Sequence, residues 1–275
     1  MPEEINHGLL DGKRDTDYVA GDFTFISYEE RNPSGDWQPY LPIKEYQKSL
    51  EDSKSCVSFS AINSIETQEK FLTGIENNYS DRWLAVMSDT TSDGNYLWKV
   101  ADTIRKYGLV KESSYPAPLN YTFAAYHAKP EPSLQAELLK EGQEWLKKWD
   151  IKYEWIPQTK ESMTKHIKQV PLQITKPGHA ILNFMCLADI VKYFDTYNPF
   201  IKDLSYANVT ASLKILLTPK EMAKKFIIND GGKIGVAVIE GFTGTIVFAK
   251  TPEALADLKL ALEIPDDAPV FNYPQ

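Results

Sequence analysis

The stretch that most constrains this chain is residues 53–66, where a single cysteine stands at the start of a strongly apolar helical pattern. Apolar side chains recur at three-residue steps, at Phe59, Ile62 and Ile65. Gly74 follows the last apolar pair of the segment and is a typical helix stop. The pattern therefore predicts a buried helix from Cys56 to about Thr73.

A cysteine at the start of a helix has distinctive chemistry. Ser53 or Ser55 is placed to cap the first turn, which leaves Cys56 beside unpaired backbone N–H groups and the positive end of the helix dipole. Such groups, together with an imidazolium, lower a cysteine pKa to roughly 3.5–7.5. Cys56 is thus a candidate nucleophile, although a buried core thiol is the commoner fate of a free cysteine. We interpret Cys186, the other cysteine, as a core residue.

A cysteine nucleophile needs a base, and the chain contains four histidines. His179 begins an apolar strand pattern directly after Gly178, which permits close approach of a substrate or another backbone. Asp195 follows sixteen residues later, at the end of the next predicted strand, where its carboxylate would orient the imidazole. The alternative interpretations are a strand-edge histidine and an aspartate that initiates the turn at Asn198-Pro199.

Composition excludes several classes of protein. The net charge of −8 and the pI near 5.2 argue against a nucleic-acid surface. No stretch approaches the ~20 apolar residues of a membrane span, and no secretory signal is found in the first thirty residues. Two cysteines exclude a disulfide framework beyond one bridge. We therefore expect a protein of a reducing, cytoplasmic compartment without membrane or nucleic-acid partners.

The order of the predicted elements indicates an α+β fold. A helical half extends to about residue 150 and a strand-rich half follows. We divide the chain into an N-terminal arm (1–34), a catalytic core (35–200) and a C-terminal extension (201–275) that completes or decorates the strand-rich half. Further predicted elements are a strand at 23–26, a hairpin of 233–240 with 245–249, and helices at 219–225 and 252–262.

Three short motifs resemble those of the papain-like cysteine peptidases (clan CA). Residues 55–62, Ser-Cys-Val-Ser-Phe-Ser-Ala-Ile, resemble the family's nucleophile motif, with Val57 in place of Trp. Residues 178–180, Gly-His-Ala, resemble its histidine segment. Residues 194–197, Phe-Asp-Thr-Tyr, resemble its asparagine segment, with aspartate in place of Asn and tyrosine in place of the shielding Trp. The order of the motifs also agrees, and the style of the sequence is similar to bacterial and phage members.

This resemblance implies a helical left half that carries the Cys56 helix and a barrel-like antiparallel right half that carries His179 and Asp195, with a cleft between them. It also implies an oxyanion donor. The family's glutamine lies six residues before the cysteine, where this chain has Leu50, so the nearest candidate is Gln47. The residues expected to line the substrate cleft are Gly94, Asn95, Gly178 and Tyr197.

The implied activity is that of a cysteine endopeptidase, which hydrolyses peptide bonds through a Cys-His-Asp triad and a thioester. The expected partner is a protein or peptide substrate, no metal or organic cofactor is required, and residues 201–275 are available to dock a further partner. Two alternatives stay open. The same triad serves transglutaminase- and amidase-type acyl transferases, and the chain could also be a catalytically inactive virion or structural protein of this family.

Overall fold

A computed structural model describes residues 6–17, 19, 29–220, 224–230, 233–240, 243–248, 251, 254–256, 259 and 270–272. The chain divides into two compact units, Met1–Thr218 and Pro219–Gln275. The predicted strand at 23–26 lies outside the described residues. None of the described helices is both long and apolar enough to cross a membrane.

The first unit begins with a helical part built around one buried helix. Helix α1 (Cys56–Thr73) has the predicted bounds, and Gly74 ends it in the left-handed conformation with φ 73°. Each of its first fourteen residues is buried, because the helix packs against other helices on one side and against the sheet on the other. The remaining helices are α2 (Asp81–Met87), α3 (Leu97–Tyr107), α4 (Phe123–Tyr126), α5 (Pro132–Lys148) and α6 (Lys160–His166).

A six-stranded sheet forms the other part of this unit. Its strands are β1 (Trp149–Trp155), β2 (Leu172–Lys176), β3 (His179–Cys186), β4 (Ile190–Phe194), β5 (Ile201–Ser205) and β6 (Ala211–Pro219). The strand order is β1-β6-β2-β3-β4-β5, so the sheet is open. The predicted α+β fold, with a helical part before a strand-rich part, is confirmed. The sheet is open rather than closed into a barrel, because the edge strands β1 and β5 do not pair with each other.

The register of β2, β3 and β4 brings the start of β3 and the end of β4 to the same edge of the sheet. Strands β2 and β3 form a hairpin in which Lys176 pairs with His179, and Gly178 takes a left-handed φ of 67° in the turn. In the β3–β4 ladder Leu182 pairs with Phe194. Because these strands are antiparallel, the residue after Phe194 returns toward the beginning of β3.

The second unit contains a separate sheet of four strands in the order β10-β7-β8-β9. These strands are β7 (Lys224–Asp230), β8 (Lys233–Glu240), β9 (Thr243–Phe248) and β10 (Val270–Asn272). The antiparallel pair β8–β9 confirms the predicted hairpin. The predicted helix at 219–225 is wrong, since Pro219 ends β6 and β7 begins at Lys224. The helix predicted at 252–262 lies largely outside the described residues.

Two carboxyl groups, those of Glu66 and Asp81, are buried near the contact of α1 with α2, and that of Glu112 is half-buried. Glu66 lies on α1 and accepts a hydrogen bond from the backbone of Tyr79 at 2.7 Å, whereas Oδ1 of Asp81 finds no hydrogen-bond partner among the described residues. Burial raises the pKa of Glu66 and of Asp81 well above the usual carboxyl range, and it raises the pKa of Glu112 to about 7. The folded state therefore favours protonated carboxyl groups at this contact.

The stability of the fold is accordingly expected to fall as the pH rises from 5 to 8. The folded pKa of Glu112 lies above the unfolded value of about 4.5, so its contribution is present below that value and is lost as the pH passes about 7. We expect Glu112→Gln to raise the free energy of unfolding at pH 8 by about 1–2 kcal/mol, after allowance for solvent screening, and to flatten the slope. Urea unfolding at four pH values measures this, with the exposed Glu137→Gln as control. An unchanged slope would contradict it.

Candidate active site

Helix α1 and strand β3 meet at their first residues. The backbone N–H of Ala180, the second residue of β3, donates to Sγ of Cys56 over 3.4 Å. Cys56 is the first residue of α1 and has no exposed surface. Ser55 precedes the helix as expected, but its side chain makes no capping hydrogen bond, because the Ser53 and Ser55 hydroxyls bond to each other. Rigid elements of the core thus hold the thiol beside the start of β3.

His179 and Asp195 form a buried hydrogen-bonded pair. Nε2 of His179 donates to Oδ1 of Asp195 over 2.8 Å, and both side chains are at most 2% exposed. The acceptor is a carboxylate, which assigns the proton to Nε2. Nδ1 of His179 is buried and makes no hydrogen bond with the described residues. This second nitrogen is therefore available to accept a proton.

Asp195 has two partners besides the imidazole. Its Oδ1 also accepts from the backbone N–H of Thr196 over 2.7 Å, and its Oδ2 accepts from Nζ of Lys202 over 2.7 Å. Burial alone would raise the pKa of Asp195, but the hydrogen bonds and charges of His179 and Lys202 lower this pKa to about 2. Asp195 is therefore a carboxylate at any physiological pH.

Gln47 lies in the same cluster and is fully buried. Its Oε1 accepts from the hydroxyl of Thr196 over 3.1 Å, which directs the amide nitrogen away from that residue. The hydroxyl of Tyr121 donates to the Gln47 backbone carbonyl over 2.6 Å and fixes the main chain. Nε2 of Gln47 in turn donates to Oδ1 of Asp52 over 2.9 Å. The amide is thereby oriented by bonds at both ends.

Tyr197 is joined to a second carboxylate. Its hydroxyl donates to Oδ2 of Asp52 over 2.6 Å, and its ring centroid lies 5.5 Å from that of His179. Nδ1 of His7 lies 3.1 Å from the same Asp52 oxygen, and its ring contacts the His179 ring edge to face at 5.0 Å. Burial would raise the pKa of Asp52, but its hydrogen bonds, among them those with His7 and Tyr197, hold the pKa well below the ordinary range.

The chain segment Asn6–Leu10, which we call the cleft arm, lies along Gly94 and Asn95. Leu10 N–H donates to the Asn95 carbonyl over 2.8 Å, and Asn95 N–H donates to the Gly8 carbonyl over 3.0 Å. A Cβ on Gly94 would come within 2.0 Å of the Gly8 backbone. Glycine at position 94 thus permits two main chains to touch, and Gly94 and Asn95 pair with an extended segment of this same chain.

The cleft arm also covers the catalytic candidates. His7 N–H donates to the Gly178 carbonyl over 2.7 Å, and the His7 carbonyl accepts from Nε2 of Gln47 over 2.7 Å. A peptide carbonyl of the chain itself therefore accepts from the Gln47 amide, for which the resemblance implies the role of oxyanion donor. His179 and Cys56 are at most 1% exposed in this arrangement.

This arrangement changes the expected state of the thiol. Burial raises the pKa of the Cys56 thiol to about 12, the nearby carboxylates of Asp52 and Asp195 add to the rise, and the Ala180 N–H opposes it. The helix terminus favours a thiolate, but the loss of water outweighs it while the cleft arm is in place. Cys56 is thus a neutral thiol in the covered cleft.

The structure gathers all eight residues singled out by the sequence in one region, together with three that the motifs do not contain: His7, Asp52 and Lys202. Neither His7 nor Asp52 belongs to a local sequence pattern that would mark it as a site residue. The apolar residues of Ile201 to Ser205 do not alternate in the period of a strand, and only the pairing of this segment with β4 brings Lys202 to Asp195. Among the described residues, no three His, Cys, Asp or Glu side chains are grouped to hold a metal ion.

Solved structures identify the fold. The chain is similar to the Amb a 11 cysteine protease, a major ragweed pollen allergen, in its proform, with a TM-score of 0.52, 14% identity and 66% of each chain covered. It is also similar to digestive procathepsin L 3 of Tenebrio molitor larval midgut, with a TM-score of 0.50, 16% identity and 76% of each chain covered. The chain thus has a papain-like protease fold and spans about two thirds of the first relative. Neither a family model nor a curated protein matches the sequence.

Proposed function

We propose that this chain is a cysteine peptidase that hydrolyses peptide bonds through Cys56, His179 and Asp195. The observation that carries the proposal is the pair of hydrogen bonds at the start of β3: Asp195 holds Nε2 of His179, and the N–H of the next residue, Ala180, donates to the Cys56 sulfur. A nucleophile, a base and a group that orients the base are the parts that acyl transfer requires. The papain-like fold agrees with this chemistry.

In the proposed mechanism the Cys56 thiol gives its proton to Nδ1 of His179, and the thiolate attacks the substrate carbonyl carbon. The resulting oxyanion receives hydrogen bonds from Nε2 of Gln47 and from the backbone N–H of Cys56 at the start of α1. The His179 imidazolium then protonates the leaving amine as the C–N bond breaks, and a thioester remains. Water, deprotonated by His179, attacks the thioester, which releases the carboxylic acid and restores the thiol.

A substrate enters the cleft only after the cleft arm has left it, because the Gln47 amide donates to the His7 carbonyl while the arm is in place. The peptide that replaces the arm would use the groups that the arm now uses: the Gly178 carbonyl and the backbone of Asn95. These groups recognise an extended main chain without regard to its side chains. Protein or peptide segments in extended conformation are therefore the proposed substrate class.

The test is incubation with an unfolded protein and a primary amine, followed by mass spectrometry of the products. We expect the parent chain, or its arm-displaced variant Gly8→Val, to cleave the unfolded protein. We expect Cys56→Ala and His179→Ala to abolish this cleavage. Cys186→Ala is the matched control and should remain active. Amine incorporation without cleavage would reassign the chain to the transglutaminase type. No reaction in either form would favour a structural, non-enzymatic protein.

Other expectations stay predictions. A cytoplasmic or virion-associated location, a bacterial or phage type of protein, and a docking role for residues 201–275 rest on the sequence alone. The extension itself is divided by the structure, since β5 and β6 belong to the sheet of the first unit and residues from Pro219 onward belong to the second. A docking role is therefore best tested on residues 219–275.

A further inference from the structure

Lys202 binds the carboxylate oxygen of Asp195 that does not contact His179. Its ammonium nitrogen lies 2.7 Å from Oδ2 of Asp195, while Oδ1 faces the imidazole. The pair is shielded from solvent, with side-chain exposures of 23% for the lysine and 1% for the aspartate. Lys202 lies on β5 opposite Tyr193 of β4, so the sheet rather than a loop sets its position.

We propose that Lys202 is a positioning residue for the catalytic pair, which fixes the orientation of the Asp195 carboxylate and offsets most of its negative charge at His179. This inference rests on the proposed function. A carboxylate paired with an ammonium ion at contact distance presents little net charge to a third group. The Asp195–Lys202 pair would then act on the imidazole much as an asparagine side chain would.

The surroundings of His179 make this charge balance important. Burial and the neighbouring charges lower the pKa of His179, while the hydrogen bond and charge of Asp195 raise it. The titratable groups that contact the ring or act on it are His7 of the cleft arm, Lys176 of β2, and Asp195 and Tyr197 after β4. Asp52 accepts from the Tyr197 hydroxyl, and the Cys56 sulfur accepts from the Ala180 N–H next to His179. Without Lys202, the full negative charge of the Asp195 carboxylate would act on the His179 imidazole from a distance of 2.8 Å.

The first arm of the experiment is Lys202→Met in the full chain, with the four histidine signals titrated by NMR and His179 assigned from a His179→Gln spectrum. We expect the pKa of His179 to rise by about 1 unit, which is typical of an uncompensated opposite charge at hydrogen-bond distance. Lys202→Arg should restore the original pKa. The matched control is Lys192→Met, which removes the exposed Lys192–Asp203 pair of the same two strands and should leave the pKa unchanged.

The second arm is a double-mutant cycle on kcat/KM. In the parent, Asp195→Asn turns an amide N–H₂ toward the Lys202 ammonium, and we expect a loss of about 100-fold. In the Lys202→Met background that clash is absent, so we expect the same substitution to cost about 10-fold or less. Coupling of this size is within the range of directly contacting groups. A merely structural lysine would give additive losses and no displacement of the alkaline limb of the pH profile.

The outcomes separate this inference from the proposed function. A raised His179 pKa in Lys202→Met with no peptidase activity in any form would support the charge balance and overturn the peptidase proposal. Peptidase activity with an unchanged His179 pKa and additive kinetic losses would overturn the role of Lys202 and leave the peptidase proposal standing.

Discussion

Replacing Gly8 with valine is expected to raise the rate at which iodoacetamide modifies Cys56 by ~10- to 100-fold. Gly8 has φ 110°, and a Cβ there would come within 1.9 Å of the Lys54 carbonyl oxygen, which belongs to the backbone and has little room to move. Overpacking of this kind costs about 1–3 kcal/mol, and each 1.4 kcal/mol is tenfold in an equilibrium constant. Because the strain exists only while the cleft arm lies in the cleft, the open form gains in population.

The matched control for this prediction is Gly12→Val. Gly12 has a similar positive φ of 129°, but a Cβ there meets no atom within 4 Å. It therefore carries the same backbone penalty without the clash, and we expect the Cys56 modification rate to stay near that of the parent. Peptide mapping separates Cys56 from Cys186. Equal acceleration in both variants, or none in Gly8→Val, would mean that the arm does not limit access to the thiol.

The helix and the pair on which the site depends could be predicted because their signals are local. The three-residue recurrence of apolar side chains and Gly74 predicted α1 with its observed ends. The apolar strand after Gly178 and the spacing to Asp195 predicted a pair that is joined by a 2.8 Å hydrogen bond. In each case the pattern lies within a short stretch of chain, so it can be recognised without knowledge of distant contacts.

The covered state of the cleft could not be predicted, because it depends on contacts between distant parts of the chain. His7 reaches Gly178 through a main-chain hydrogen bond, and such bonds leave no trace in side-chain type. The prediction of a thiolate at Cys56 was wrong for the same reason. The helix terminus is visible in the sequence, but the contact of the cleft arm with the cleft is not. At 219–225 a good helix-start signal at Thr218-Pro219 was overridden by strand pairing of β7 with β8.

Gln47→Ala is expected to lower kcat for peptide hydrolysis by about 100- to 1,000-fold, the usual cost of removing one oxyanion donor. The amide is already directed into the cleft, where its Nε2 donates to a carbonyl oxygen, that of His7, over 2.7 Å. In the covered cleft the arm's carbonyl takes the place that a developing oxyanion would take. The test is to measure kcat of the parent and of Gln47→Ala by steady-state kinetics on the same fluorogenic peptide.

The same substitution is expected to act in the opposite direction on alkylation, which distinguishes the oxyanion role from general damage to the site. Iodoacetamide reacts with Cys56 without a tetrahedral oxyanion, so loss of the donor does not slow that reaction. Loss of the Gln47–His7 bond also loosens the cleft arm, so the modification rate should equal or exceed that of the parent. The control is Gln173→Ala, a buried glutamine whose amide bonds the Val57 carbonyl in α1. It should reduce stability while kcat stays close to the parent value. Parallel losses of hydrolysis and alkylation in Gln47→Ala would assign Gln47 to structure instead, because only a donor to the oxyanion separates the two reactions.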